Sequence, residues 1–258
     1  MKNALPIARK ELNVYFATPV AYVMFTLFVV IASYFFLRLL GAYEQASLQY
    51  MRFNAPELMN RLNFQDAIFR NLFGNLGVIL IFIVPSLTMK LLAEEKRTRT
   101  IELLYSTPVT PADVVIGKYL AALVTWIGLW IPTLMYVWIT SRFGRVDMGA
   151  VAVSYLGVLG IGLYYMAIGL AMSALAKNQI VAALLTFMLL SGLFAVGLLS
   201  FLDTFAPYRD ALDYISLWGH MQSFSKGIVD TRFLVFDLSV SGLFVYLAWR
   251  ALDGRHWT

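Results

Sequence analysis

The chain has 258 residues, 60% hydrophobic and only 14% charged, with a net charge of +5 and a mean hydropathy of +0.72. A soluble domain is about a quarter charged, so this balance excludes an ordinary soluble globule and points to a polytopic membrane protein. With no cysteine, disulfides, zinc–thiolate sites and thiol catalysis are excluded, and the basic surplus contains no aromatic-interleaved run that would read as a nucleic-acid site.

The first element is residues 5–16, where Leu5, Ala8, Leu12, Tyr15 and Phe16 recur at helical spacing while Arg9, Lys10, Glu11 and Asn13 fall elsewhere. This fits a short amphipathic helix lying in the membrane interface, with an irregular basic tail as the alternative. Thr18-Pro19 reads as a helix cap followed by proline in the first turn. A first span follows over about residues 20–40, too long for a cleaved signal and without a small-residue cleavage site.

Residues 41–75 form a polar connection in which Glu44, Arg52, Glu57, Arg61, Asp66 and Arg70 balance one another. The second span is expected at 76–92, kinked by Pro85, with Lys90 able to snorkel to the interface. A charged stretch over 93–110 follows. Within it, Thr100 to Ser106 predicts a short helix stopped by Pro108, with Ile101, Leu104 and Tyr105 on one face. Thr110-Pro111-Ala112-Asp113 then reads as a helix start: Thr110 caps, Pro111 takes the first helical position, and Asp113 favours the positive end of the helix dipole. The third span is placed at 114–139, with Lys118 near its beginning and Pro132 inside.

The fourth span, 149–175, carries Gly157, Gly160, Gly162 and Gly169. Its GVLGIG run follows no strand and lacks a Lys-Ser/Thr, so Gly157 and Gly160 are read as helix-packing positions rather than a phosphate loop. After the Lys177-Asn178-Gln179 turn, the fifth span covers 180–201. A second polar connection, 203–232, alternates apolar and polar residues and predicts surface or re-entrant helices. The sixth span is placed at 233–249. The fold class is therefore all-α: one membrane domain over 1–258 with six transmembrane helices behind an interfacial helix.

Six spans put both termini on one side. That side, with the Lys90–Lys118 stretch and the Lys177 turn, holds eleven basic and six acidic residues, against nine of each on the other. Basic residues near span ends mark the cytoplasmic face, so both termini are expected in the cytoplasm and the chain in a multi-pass inner membrane location.

Catalytic signals are missing from the sequence. His220 and His256 fall in a connection and a tail and are assigned no role; there is no paired intramembrane carboxylate, and Asp237, one turn inside the sixth span, is placed at the interface. Without a Gly-x4-Gly-Lys-Ser/Thr segment the chain has no P-loop, so no cofactor is expected on it and it is not expected to be an enzyme by itself. The charged stretch fits two readings equally. In one, Ile101, Leu104 and Tyr105 fill a groove on a partner while Arg97, Arg99 and Glu102 set register. In the other, it is a solvated loop with snorkelling basic residues.

The segment AEEKRTRTIELLYSTPVTPADVVIGKYL resembles ABC-2 type exporter permeases, through Glu94, Glu95, Lys96, Arg97, Thr98, Thr100, Ile101, Glu102, Leu103, Leu104, Pro108, Val109, Gly117 and Lys118. Arg99 stands where that family commonly has glycine. Glu11, Leu12, Phe16, Pro19, Tyr22 and Val23, with Gly227, Ile228, Asp230, Thr231 and Arg232, are similar to the gliding-motility and nitrous-oxide-reductase-maturation types. The resemblance implies a coupling helix between spans two and three, docked on a cytoplasmic ATP-binding subunit that holds ATP and Mg. The residues carried over to that role are Glu94, Glu95, Arg97, Thr98, Arg99, Thr100, Ile101, Glu102, Leu104 and Tyr105. It also implies a second permease copy or paralogue and export by alternating access. A non-transporting membrane scaffold serving envelope or motility partners, periplasmic ones among them, is the alternative, and membrane lipid is a partner in either case.

Overall fold

A computed structural model describes residues 3–53, 63–98, 109–144, 146–200, 202 and 207–253. Among them are no strands, and six helices are long and apolar enough to cross a membrane: Pro19–Arg52, Gln65–Arg97, Pro111–Phe143, Met148–Leu175, Gln179–Leu199 and Thr231–Asp253. The all-α, six-span expectation is met.

A short helix, α1 (Ala4–Ala17), precedes them and buries Ala4, Ala8 and Glu11. The first span, α2 (Pro19–Arg52), begins on Pro19, whose missing N–H costs nothing at that position. It continues through residues 41–52, which the sequence reading gave to a connection. At about 1.5 Å per residue those twelve residues carry the helix roughly 18 Å beyond the apolar segment. Their polar side chains are good helix formers, so the helix outlasts its hydrophobicity. Ser33 and Phe36 tie α2 to the third span: the Ser33 and Tyr136 hydroxyls are 2.8 Å apart, and the Phe36 and Tyr136 rings stack at 4.5 Å.

The second span starts earlier than its hydropathy suggests, with one wide turn at Gln65–Phe69 leading into α3 (Arg70–Thr88). Gln65 explains the early start. It is buried, and its amide donates to Ser154 Oγ at 3.1 Å and to the Ser225 carbonyl at 2.7 Å, so a polar residue is held inside by bonds to two other elements. The third span comprises α5 (Pro111–Trp130), a tight turn at Ile131–Thr133 around Pro132, and α6 (Leu134–Phe143). Proline lacks the N–H for the regular ladder, and the Thr133 hydroxyl donates to the Trp130 carbonyl at 2.7 Å beside the break. The second span ends in α4 (Ala93–Arg97).

The fourth span, α7 (Met148–Leu175), is the axis of the molecule: 78% of its most apolar window is buried, against 22% for the first, fifth and sixth spans. Asp147 caps it, accepting from the Gly149 and Ala150 amides. Asn178 caps α8 (Gln179–Leu199) by accepting from Val181 N at 2.9 Å. Two short helices follow, α9 (Arg209–Ile215) and α10 (Leu217–Ser225), and α10 turns inward to bury Ser216, His220, Phe224 and Ser225. It ends in a glycine-dependent cap. Gly227 has φ +76°, its N–H bonds the Phe224 carbonyl, and Ile228 N bonds the Ser223 carbonyl. The last span, α11 (Thr231–Asp253), packs along α7. At its head Asp230 grips Arg232 at 2.8 Å, and this pairing holds the Asp230 carboxyl below its ordinary range.

Candidate coupling site on the face of the termini

The site is assembled where α1, α4 and α5 meet. Thr110, Pro111 and Asp113 start α5 as their chemistry dictates: Thr110 Oγ1 accepts from Asp113 N at 3.2 Å and donates to Asp113 Oδ2 at 2.9 Å. Two turns on come Gly117 and Lys118. A Cβ on Gly117 would sit 2.7 Å from the Ala4 carbonyl oxygen and 2.8 Å from Ile7 Cβ, so the glycine lets α1 lie directly on α5. Lys118, thus covered, is only 2% exposed.

Its ammonium is 2.8 Å from Glu11 Oε1 of α1 and 2.9 Å from Glu95 Oε1 of α4. One buried cation therefore joins the interfacial helix, the tail of the second span and the beginning of the third. Desolvating Lys118 is tolerable because two carboxylates surround it. Beside the triad, Glu11, Tyr15, Lys90 and Glu94 line a crevice of about 150 Å³. Burial, reinforced by the Glu11 carboxylate, pushes the Tyr15 phenol well above its ordinary value and keeps it neutral.

The base of α4 is fixed from a third direction. The second span breaks after Thr88, and Ser173 Oγ of α7 fills the gap. It accepts from Leu92 N and Ala93 N, each at 3.0 Å, and donates to the Met89 carbonyl at 3.1 Å. Thr98 closes α4 with its hydroxyl on the Glu94 carbonyl at 2.9 Å.

Of the residues expected to couple, Glu95 is thus in the triad, Glu94 on the crevice, Arg97 exposed and Thr98 at the end of α4. Arg99, Thr100, Ile101, Glu102, Leu104 and Tyr105 lie outside the described residues. Of the two ends of that stretch, Val109 packs on the core and the exposed Thr98 is tied to the Glu94 carbonyl within α4. Gly157 and Gly160 lie far from this site, on α7. A Cβ on Gly157 would meet Phe224 Cγ at 2.5 Å, and one on Gly160 would meet Asp237 Oδ2. Sequence reasoning missed the roles of Glu11 and Lys118. The available signal was a lysine two turns inside a spanning helix, which is costly without a partner.

His220 and Asp237 are also placed differently from expectation. Neither is at a surface: both side chains are fully buried and face each other at 3.1 Å. Short polar connections are ordinarily solvated, but here α10 folds inward between spans. His256 lies outside the described residues.

No curated protein matches the chain significantly. The family described as ABC-2 family transporter protein matches residues 5–248, from the interfacial helix to within the sixth span. The chain belongs to that ABC-2 family and is a multi-pass membrane permease of an ABC transporter.

Proposed function

We propose that this permease is the membrane half of an ATP-driven exporter, with residues 97–106 seated on a separate ATP-binding subunit and the face of the termini in the cytoplasm. ATP and Mg would be held by that subunit, since this sequence has no P-loop of its own. A second copy or a paralogue of the chain completes the pore. The exposed faces of the first, fifth and sixth spans are available for that pairing and for lipid.

The observation that carries this reading is the Glu11–Lys118–Glu95 triad. A load on the stretch between Thr98 and Val109 arrives at Glu95 on one side and at the capped start of α5 on the other. Lys118 ties those two points together and to α1, so spans two and three move as one unit with the interfacial helix. Nucleotide can drive alternation only if it favours one arrangement of that unit over another.

The test is co-purification with the partner ATP-binding subunit. Leu104→Asp or Glu102→Arg should abolish capture and the permease-stimulated ATPase rate while leaving the permease folded. Full capture and full stimulation in both variants would refute the docking role. Proteoliposomes then settle direction: export predicts ATP-dependent loss of cargo from the side bearing the ATPase.

A further inference from the structure

The end of the bundle away from the termini holds a second buried ionisable pair. His220, in the middle of α10, places Nδ1 3.1 Å from Oδ1 of Asp237 on α11, and Nε2 of the same ring lies 2.9 Å from the Tyr214 carbonyl oxygen. A carbonyl only accepts, so Nε2 must carry hydrogen. A neutral imidazole has one N–H, and with that on Nε2 its Nδ1 is a bare acceptor. An ionised carboxylate is also acceptor-only. Neutral histidine facing ionised aspartate would thus press two acceptors together at full burial.

Only two arrangements make chemical sense: imidazolium against carboxylate, or neutral imidazole against carboxylic acid. Each contains one proton more than the separated neutral histidine and ionised aspartate. Nothing else shares the load. Among the described residues no other group hydrogen-bonds either Asp237 oxygen, and Oδ2 is packed against Gly160 of α7, where a Cβ would collide with it. The charges on the neighbouring α9 lie outside the buried pocket: Arg209 and Asp210 are exposed and Asp213 is half-buried. Tyr164 of α7 stands edge-on to the imidazole at 6.2 Å, with Tyr165 behind it. Tyr214 of α9 offers its carbonyl, and Tyr119 of α5 is turned to Ser241 at 2.6 Å. Asp230 and Arg232 neutralise each other, Arg70 pairs with Asp66, and α8 has no charged residue.

We propose that His220 and Asp237 together form a binding site for a single proton, and that this proton fastens α10 between the fourth and sixth spans. The consequence follows from the packing. α10 is held by His220 on Asp237, by Phe224 seated at Gly157, and by the Ser225 carbonyl on Gln65. It is bounded by the Ser216 cap and by Gly227, whose positive φ suits a pivot. Losing the proton leaves a buried carboxylate facing a lone pair, and α10 then releases from the bundle. The site is closed at low pH and opens as pH rises.

The chain has no cysteine, so Ser225→Cys places a single thiol on the buried face of α10. Its modification rate by a water-soluble methanethiosulfonate is measured against pH in two full-length backgrounds, native and Asp237→Asn. Asparagine brings its own N–H to the bare Nδ1 and needs no extra proton. Thiol ionisation cancels in the ratio of the two rates. The ratio should rise about tenfold per pH unit above the pH at which a free imidazole loses its proton, and level off once the closed site has lost its own. A ratio that stays flat from about pH 5 to about pH 10 overturns the proposal, as this interval contains the whole range over which an imidazole ordinarily changes charge. Should Asp237→Asn not assemble, imidazole 15N shifts decide. In the His256→Gln chain, where His220 is the sole histidine, the proposal requires a proton shared between Nδ1 and the carboxyl. A neutral ring with bare Nδ1 beside an ionised Asp237 would rule it out.

Discussion

Replacing Lys118 with methionine tests the triad. Methionine keeps the length and packing of the lysine stem but removes the ammonium, leaving the Glu11 and Glu95 carboxylates, each within 2.9 Å of that charge, without their shared cation. Breaking a buried pair by removing one partner costs about 3–5 kcal/mol. The lower end applies here, because the Glu11 and Glu95 side chains keep 12% and 17% of their surface. For a chain of this size about 3 kcal/mol corresponds to a melting temperature lower by roughly 6–12 °C. Fluorescence-detected gel filtration after a heat series reads it directly. The triple variant Glu11→Gln/Lys118→Met/Glu95→Gln removes the repulsion along with the attraction, and neutral replacement of a buried ionic group is often close to neutral in stability. It should therefore recover most of the melting temperature yet lose ATPase stimulation, since the tie between spans two and three is gone. A Lys118→Met protein that melts within about 2 °C of wild type would show that this ammonium is not holding the three elements together.

Gly117→Val should lift α1 off α5, because the new Cβ would lie 2.7 Å from the Ala4 carbonyl; limited proteolysis within residues 4–17 should accelerate severalfold, and unchanged cleavage would contradict the close approach. Ser173→Ala orphans the buried Leu92 and Ala93 amides at a cost of about 1–3 kcal/mol, read as a lower melting temperature with faster amide exchange confined to residues 89–98. Gly157→Leu should displace Phe224, whose ring carbon occupies the space at 2.5 Å, and alter assembly on gel filtration; an unchanged profile would make that glycine incidental.

How much of this was legible in the sequence depends on the range of the interaction. The helix starts were local and readable: Thr110-Pro111-Ala112-Asp113 folds as its caps require, and the turn around Asn178 does the same. The six apolar blocks were readable because a bilayer leaves a helix no other way to satisfy its backbone. Helix ends were harder. Residues 41–52 are polar, but they lie beyond the apolar segment, where polarity no longer argues against a helix. Gln65 looks like a connection residue until its two partners, from elements 89 and 160 residues away, are brought beside it. The triad failed to announce itself for the same reason. Glu11 and Lys118 are 107 residues apart, and no periodicity within either helix reports on the other. His220 was the sharpest miss: a lone histidine in a short polar helix has no local feature that distinguishes a solvated ring from one wholly enclosed.

What connects the two ends of the bundle is α7. The space beside four of its glycines is filled by a side chain from a different element each time: Gly157 by Phe224 of α10, Gly160 by Asp237 of α11, Gly162 by Trp126 of α5, and Gly169 by Thr88 of α3. The last is the most consequential for coupling, as Thr88 sits where the second span breaks and the next residues are pinned by Ser173. Gly169→Ala would force its methyl into Thr88, and overpacking of this kind costs about 1–3 kcal/mol. The shift should be felt at α4 first, lowering ATPase stimulation more than assembly. Thr88→Gly alone opens a void. If the contact is the one described, the two changes exchange knob and hole, and Thr88→Gly/Gly169→Ala should be more stable than the two single losses predict by addition. Strict additivity in the double-mutant cycle would mean that the two positions do not touch.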